Sequence, residues 1–179
     1  LHLSRGLGDV YKRQTHILIG NHDTYFKNTN DVNALQNLNI SKGAKIYTRP
    51  IDVNFDGLDI LFLPWICDDN HSDSIYAIDN STSVIAMGHL EIKGFEMHKG
   101  HFNEQGLEKS QFTKFEKVIS GHFHKKSDDG RIYYLGTQYE ITWSDYKCPK
   151  GFHIFDTQTR ELERLSLIHI SEPTRQVQI

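Results

Sequence analysis

Three short, β-branched runs each end in a glycine that is followed at once by polar or histidine side chains. The runs are HILI at residues 16–19, SVIAM at 83–87 and KVIS at 117–120, and the motifs after them are GNHD, GH and GHFH. Short β-branched runs bounded by glycine are typical of buried strands. Because α/β folds assemble sites from loops at strand ends, the pattern predicts an α/β fold with a functional site at these three ends.

Further short elements fill the intervals between these motifs. An Asp56-Gly57 pair between two apolar runs is a strong signal for a two-residue hairpin. Strands are predicted at residues 45–47, 51–55, 58–63, 131–135 and 151–155. Helical spacing of apolar residues predicts short helices at residues 31–38, 72–78 and 108–115. The whole pattern predicts a mixed α/β domain with many short strands.

The two ends of the chain resemble translated sequencing adapter. Residues 9–14 read DVYKRQ and residues 165–170 read LSLIHI, and opposite strands of one inverted DNA repeat encode these two peptides. Segments of this kind do not belong in an argument about fold. We therefore expect residues 1–14 and 165–179 to be adapter-derived artefacts, and residues 15–164 to be a partial domain of a longer gene.

The composition limits the classes of partner. With 20 basic and 23 acidic residues, the chain has a formal net charge of −3, which argues against a broad basic surface for nonspecific nucleic-acid binding. A local groove whose charge comes partly from bound cations stays open. No apolar run approaches the roughly 20 residues that span a bilayer, so no membrane partner is expected. Cys67 and Cys148 lack CxxC spacing, and we expect free thiols.

The GHFH motif supplies two histidines at alternate positions. In an extended chain, His122 and His124 point to one face and Phe123 points to the other. Asn21 adds an amide oxygen and His89 adds another imidazole. This mixed nitrogen and oxygen set suits Mn, Fe or Zn better than Ca. The sequence therefore predicts a metal site built from these three histidines and the asparagine.

His22 and Asp23 complete the first motif. Because neighbouring residues in a turn point in different directions, His22 either joins the ligands or faces the substrate, with Asp23 accepting a hydrogen bond from its ring. Taken alone, GNHD also fits an Asx-rich turn without function, and a GH dipeptide also occurs by chance. The ordered set of three motifs favours a metal site. The other histidines lack ligand-like neighbours and are predicted to be core or surface residues: His16, His71, His98, His101 and His153.

The ordered motifs resemble those of the calcineurin-like metallophosphoesterase superfamily, and within it the SbcD-type nucleases of DNA repair and recombination. The segments GNHDTYFKN, FLPWICDDN, GHLEIKGF, SGHFH and YLGTQYEITWSD are similar to the phage recombination endonuclease subunits of that group. The resemblance implies a four-layer α/β/β/α sandwich, two Mn²⁺ ions, cleavage of DNA and an SMC-like ATPase partner, with a homodimer left open. It also implies a cytoplasmic protein of a bacterium or a phage-infected cell.

The resemblance also implies a role for each motif residue. Asn21, His89 and His122 are expected to bind one metal ion, and His124 is expected to bind the other. His22 is the expected catalytic histidine beside the scissile phosphate, where it stabilises or protonates the leaving oxygen. Asp23 is expected to support His22.

The resemblance is incomplete at its start. The superfamily's Asp-x-His and Gly-Asp motifs, which supply the remaining ligands of the first metal and the bridging aspartate, have no counterpart before Thr15. We therefore expect no Mn²⁺-dependent nuclease activity from this chain alone, and such an activity abolished by His22→Ala would contradict that expectation. Two rival functions stay open for the parent protein: a phosphatase of the same superfamily, and a non-catalytic scaffold for the ATPase.

Two pairs of side chains near the motifs have open roles. Lys125 and Lys126 follow His124, and they are either contacts to DNA phosphates or solvated turn residues. Tyr139 and Trp143 either stack on unpaired bases in a substrate groove or pack in the core.

Overall fold

The computed structural model describes residues 14–36, 44–98 and 100–167. Their strands are β1 (Thr15–Leu18), β2 (Ala44–Tyr47), β3 (Ile51–Phe55), β4 (Leu58–Leu63), β5 (Ile85–Gly88), β6 (Glu96–His98), β7 (His101–Phe102), β8 (Lys117–Ser120), β9 (Ser127–Asp128), β10 (Ile132–Tyr134), β11 (Gly151–Phe155) and β12 (Leu162–Ser166). The same residues contain one α-helix, α1 (His71–Asn80), and 3-10 turns at Ala34–Gln36, Lys109–Phe112 and Trp143–Asp145. Most of the expected adapter segments, residues 1–13 and 168–179, lie outside the described residues.

Among the described strands, six form the central sheet in the order β3-β4-β5-β8-β10-β9. The four inner strands run parallel, and an antiparallel strand closes each edge. Parallel strands are covered on both faces, which is why LDILFL is apolar along most of its length and why three of the four KVIS residues are buried. Because the inner strands point the same way, the carboxyl ends of β4, β5 and β8 meet at one edge of the sheet.

Helix α1 and the loops around β8 cover one face of this sheet. The buried apolar cluster on this face joins strand residues to helix and loop residues: Leu61, Leu63, Ile78, Ala86, Phe112, Phe115, Val118, Phe123, Ile132 and Tyr134. Full burial of each Leu, Ile or Phe side chain stabilises the fold by roughly 1.5–3 kcal/mol. Phe123 belongs to this cluster, so the core fixes the position of the GHFH loop.

The parallel pair of β1 and β2 covers the opposite face of the sheet. Leu18 and Tyr47 pack there against Phe62 and Ile85. His16 is half-buried, stacks on the Tyr47 ring, and its Nδ1 atom lies 2.8 Å from the Tyr47 hydroxyl oxygen. Helix, sheet and sheet thus form three layers. The α/β class is confirmed, while the four-layer sandwich stays a prediction.

Strand and hairpin predictions agree closely with the structure. Four predicted strands, at residues 51–55, 58–63, 117–120 and 151–155, have the observed bounds, and the others differ by one or two residues. In the predicted hairpin, Asp56 and Gly57 have φ values of +51° and +92°. Both positive values fit the type I′ turn that matches the twist of the flanking strands.

Two of the helix predictions were wrong. In the described part of residues 31–38 there is only the 3-10 turn Ala34–Gln36, which the Asn33 side chain caps by accepting the Gln36 amide. In residues 108–115 the helix shrinks to Lys109–Phe112, where the Thr113 hydroxyl donates to the Ser110 carbonyl. Such short side chains offer the backbone an alternative to continued helix.

The third helix prediction, at residues 72–78, was right, since α1 spans His71–Asn80. Strand β12 was not predicted, and it pairs antiparallel with β11. It extends two residues past the expected boundary at Arg164, and that boundary stays a prediction. Cys67 and Cys148 are free thiols, as expected. None of the described helices is long and apolar enough to cross a membrane.

Candidate metal centre

The three glycine-led motifs converge at one edge of the molecule, although β1 belongs to a different sheet from β5 and β8. The His89 Nε2 atom lies 2.9 Å from the Asn21 Oδ1 atom. The same nitrogen lies 3.2 Å from Nδ1 of His122. Polar atoms from three distant parts of the chain therefore share one space.

Backbone hydrogen bonds between neighbouring strand ends hold this arrangement. The Trp65 amide donates to the Ile19 carbonyl at 2.7 Å and so joins β1 to the loop after β4. The His89 amide donates to the Leu63 carbonyl at 2.9 Å, and the Gly121 amide donates to the Gly88 carbonyl at 2.9 Å. Backbone bonds alone therefore hold the ends of β1, β4, β5 and β8 next to one another.

At two of the three motif starts, neighbouring atoms lie so close to the glycine that a side chain would not fit. A β-carbon on Gly20 would lie 2.8 Å from Cε1 of His89, and one on Gly88 would lie 2.7 Å from the Leu63 carbonyl oxygen. Both distances are too short for real contacts. A β-carbon on Gly121 would lie 3.5 Å from Nδ1 of His89, which is an ordinary contact. The first two glycines therefore make room for the site and its backbone.

The predicted geometry of the GHFH loop needs a correction. His122 and His124 do face one pocket, and Phe123 does point into the core, where it is 3% exposed. The chain between them is not extended, however, because His122 has a φ of +82°, in the left-handed region. Non-glycine residues rarely adopt this conformation, and it is found where surrounding contacts enforce it. The next residue, Phe123, is anchored in the core, where its ring stacks on that of Tyr134 with the centroids 4.4 Å apart.

Burial and mutual proximity keep two of the histidines neutral. Burial lowers the pKa of His89 to about 3, with further contributions from His122, His22 and His124. Burial also lowers the pKa of His122 to about 4, with contributions from His22 and His124. Trp65 adds to this burial, with its ring centroid 5.2 Å from that of His122. At neutral pH both rings therefore carry lone pairs, which is the state that binds a cation.

The donor atoms fit a divalent cation in both spacing and type. Two ligand atoms about 2.1 Å from one ion, at right angles to each other, lie about 3.0 Å apart. The separations of 2.9 Å and 3.2 Å around His89 agree with this value. Among the described residues, no group of three His, Cys, Asp or Glu side chains is placed to hold a metal. The trio of Asn21, His89 and His122 has two such side chains and an amide oxygen, a set that suits Mn, Fe or Zn.

His124 and His22 lie beside this trio. Both line a pocket of about 210 Å³ together with His122, and its other lining residues are Met97, Phe123, Thr142 and Ser144. His22 is exposed to solvent, whereas the His124 side chain is 29% exposed. The expected second metal ligand and the expected catalytic histidine thus open onto the same pocket as His122.

Asp23 makes a different contact from the predicted one. Its Oδ2 atom accepts the Gly20 backbone amide at 2.7 Å. No hydrogen bond joins Asp23 to the His22 ring among the described residues. This bond closes the turn that contains Asn21 and His22. Asp23 therefore stabilises the backbone of the GNHD turn.

Sequence reasoning missed Asp145, whose Oδ2 atom lies 3.1 Å from Nδ1 of His124. Burial opposes its charge, but hydrogen bonds from the Thr142 and Ile141 amides and from Lys150 hold the pKa of this carboxyl well below its usual value. Thr142 and Asp145 have the spacing of a helix-capping pair, Thr-x-x-Asp, and that pattern was the available signal. It marks a structured turn, but nothing in the sequence pairs that turn with His124.

The open questions about the flanking residues are partly answered. Trp143 is 94% exposed and Tyr139 is 67% exposed, so neither packs in the core. Trp143 stands between Thr142 and Ser144, which line the histidine pocket. Lys125 and Lys126 form ion pairs with Glu96 and Asp128.

These features define an α/β protein with a histidine-rich candidate metal centre at its strand ends. No protein-family model matches the chain. The chain is similar to the exonuclease subunit 1 of Enterobacteria phage T4, with 37% identity over 150 residues. The match covers 83% of this chain and 44% of the relative, so the chain spans less than half of the relative's length. Similarity of this extent supports an exonuclease-related protein of phage type.

Proposed function

We propose that this chain carries part of the catalytic domain of a metal-dependent DNA nuclease of the calcineurin-like metallophosphoesterase superfamily. The observation that carries the proposal is the convergence of Asn21, His89 and His122 beside a pocket that also holds His22 and His124. The similarity to a phage exonuclease subunit supports a nuclease among the members of that superfamily. The three observed layers are compatible with its α/β/β/α sandwich.

In this proposal Asn21, His89 and His122 hold one divalent cation, and His124 provides a ligand to a second, with Mn²⁺ the expected metal. Such ions polarise a phosphoryl oxygen and lower the pKa of water. The half-buried trio supplies neutral donors, because the pKa values of His89 and His122 lie well below 7. Trp65 contributes by excluding water from both rings.

His22 is the proposed catalytic residue, because it is the exposed histidine of the pocket and is free to meet a substrate phosphate. A protonated ring there donates to the leaving oxygen, a role worth roughly 10² to 10⁴ in rate. Asp23 holds the turn that presents His22 through its bond to the Gly20 amide. DNA is the proposed substrate, and an SMC-like ATPase subunit is the proposed partner, since the phage relative is itself named as a subunit.

A chimera tests this proposal, since the chain spans 44% of the relative. In the phage T4 exonuclease subunit 1, the matched 150 residues are replaced by those of this chain. We expect Mn²⁺-dependent cleavage of linear DNA, reduced at least about 100-fold by His22→Ala. His71→Ala is the matched control, because His71 begins α1 and is exposed.

The same chimera separates the rival functions. Faster Mn²⁺-dependent hydrolysis of a chromogenic phosphate ester than of DNA would favour a phosphatase. DNA-repair function that survives substitution of His22, His89 and His122 in infected cells would favour a scaffold. Either result would contradict the proposal.

A further inference from the structure

The turn between β10 and β11 carries a buried carboxylate that has no role in the glycine-led motifs. Asp145 closes the 3-10 turn Trp143–Asp145, and its side chain is 3% exposed. Its Oδ2 atom accepts the Ile141 amide at 3.0 Å and the Thr142 amide at 2.8 Å. The same oxygen lies 3.1 Å from Nδ1 of His124, which is 21 residues earlier in the chain.

The donors around Asp145 decide which nitrogen of His124 carries a proton. Two backbone amides, the Thr142 hydroxyl and the Lys150 ammonium all donate to this carboxylate. With only donors around it, the carboxylate acts as an acceptor. The ring nitrogen that faces it must therefore be Nδ1–H, which leaves Nε2 of a neutral His124 ring as the unprotonated atom.

Lys150 and Thr137 hold the other side of the same arrangement. The Lys150 ammonium, on a side chain only 9% exposed, lies 3.2 Å from Asp145 Oδ1 and 2.7 Å from the Thr137 hydroxyl. The Thr137 amide donates to the His124 carbonyl at 3.1 Å. Gly136, at φ +73°, makes this approach possible, because a β-carbon there would lie 3.1 Å from the same carbonyl oxygen. Both the backbone and the ring of His124 are thus fixed.

We propose that Asp145 is a positioning residue, which holds His124 in the Nδ1–H tautomer so that its Nε2 lone pair faces the pocket shared with His22 and His122. The role of this tautomer in metal binding rests on the proposed function. The tautomer itself is a property of the metal-free chain. Histidine ligands of metal ions commonly donate their second nitrogen to a carboxylate in this way.

Nitrogen-15 NMR of the metal-free chain tests the inference, with the His124 signals assigned by their loss in His124→Gln. In the wild-type chain we expect Nδ1 protonated and Nε2 unprotonated when the ring is neutral. Asp145→Ala removes the acceptor and should shift the ratio of the two neutral tautomers by at least about tenfold towards Nε2–H. Asp145→Asn keeps an acceptor oxygen and should restore the wild-type ratio.

Asp129→Ala is the matched control. Asp129 also accepts two backbone amides, those of Arg131 and Ile132, and also pairs with a lysine, Lys109. Within the described part of the chain it has no hydrogen bond to a histidine, so its removal should leave the His124 tautomer unchanged. Circular dichroism checks that each variant keeps the wild-type fold.

Two results would overturn the inference. One is a wild-type spectrum in which Nε2–H is the main neutral tautomer of His124. The other is an Asp145→Ala variant that is folded and keeps the wild-type ratio. The expected tautomer result together with an inactive chimera would instead overturn the proposed function and leave the role of Asp145 standing.

Discussion

At the scale of single residues, the candidate site depends on close approach as much as on ligand chemistry. Gly20 leaves the space that the His89 ring occupies. Asp23 closes the turn by accepting the Gly20 amide. The approach of Asn21, His89 and His122 was predictable from the sequence, because each follows a glycine at a predicted strand end. The left-handed backbone of His122 and the Asp145–His124 pair were not, since both arise from tertiary packing.

The role of Gly20 leads to a prediction about metal affinity. Gly20→Ala places a methyl group 2.8 Å from Cε1 of His89, so the ring must shift from its place beside Asn21 Oδ1. We expect the Mn²⁺ affinity of the chain to fall at least about tenfold, which corresponds to about 1.4 kcal/mol. Isothermal titration calorimetry measures the change.

Gly121→Ala is the control for that experiment. Its new methyl group would lie 3.5 Å from His89 Nδ1, an ordinary contact, so the affinity should stay within about twofold of wild type. Equal losses in the two variants would mean that the space at Gly20 has no special importance.

At the scale of elements, strands followed the sequence more closely than helices did. The run LDILFL is mostly apolar because both faces of the sheet are covered, and its short length and flanking turn residues favour a strand over a helix. The helix predicted at residues 108–115 ends where the Thr113 hydroxyl donates to the Ser110 carbonyl. Local periodicity does not reveal such competition. Helix α1 succeeded because Ile78 packs against the sheet in the larger apolar cluster.

The packing of α1 gives a prediction about stability. Ile78 is fully buried, so Ile78→Ala should lower the free energy of unfolding by about 2–5 kcal/mol. Tyr76 lies two residues earlier on the same helix and is 69% exposed, so Tyr76→Ala should change it by less than about 0.5 kcal/mol. Urea denaturation measures both values. Similar effects from the two substitutions would show that α1 does not pack on the sheet through Ile78.

At the scale of the whole molecule, two sheets together build one site. Strand β1 pairs only with β2 among the described strands, yet its end meets β5 and β8 through the bond from Trp65 to Ile19. The sequence predicted that three strand ends converge, because glycine-led motifs followed each of them. It did not predict that the ends come from different sheets, since strand pairing across long stretches of chain leaves no local pattern.

The central claim is that Asn21, His89 and His122 form one cation site. A titration of the chain with Mn²⁺, followed by the electron paramagnetic resonance of the free ion, tests it most directly. We predict one bound Mn²⁺ whose affinity falls at least about tenfold in His89→Gln and stays unchanged in His71→Gln. Absence of Mn²⁺ binding, or equal binding by wild type and His89→Gln, would contradict the claim.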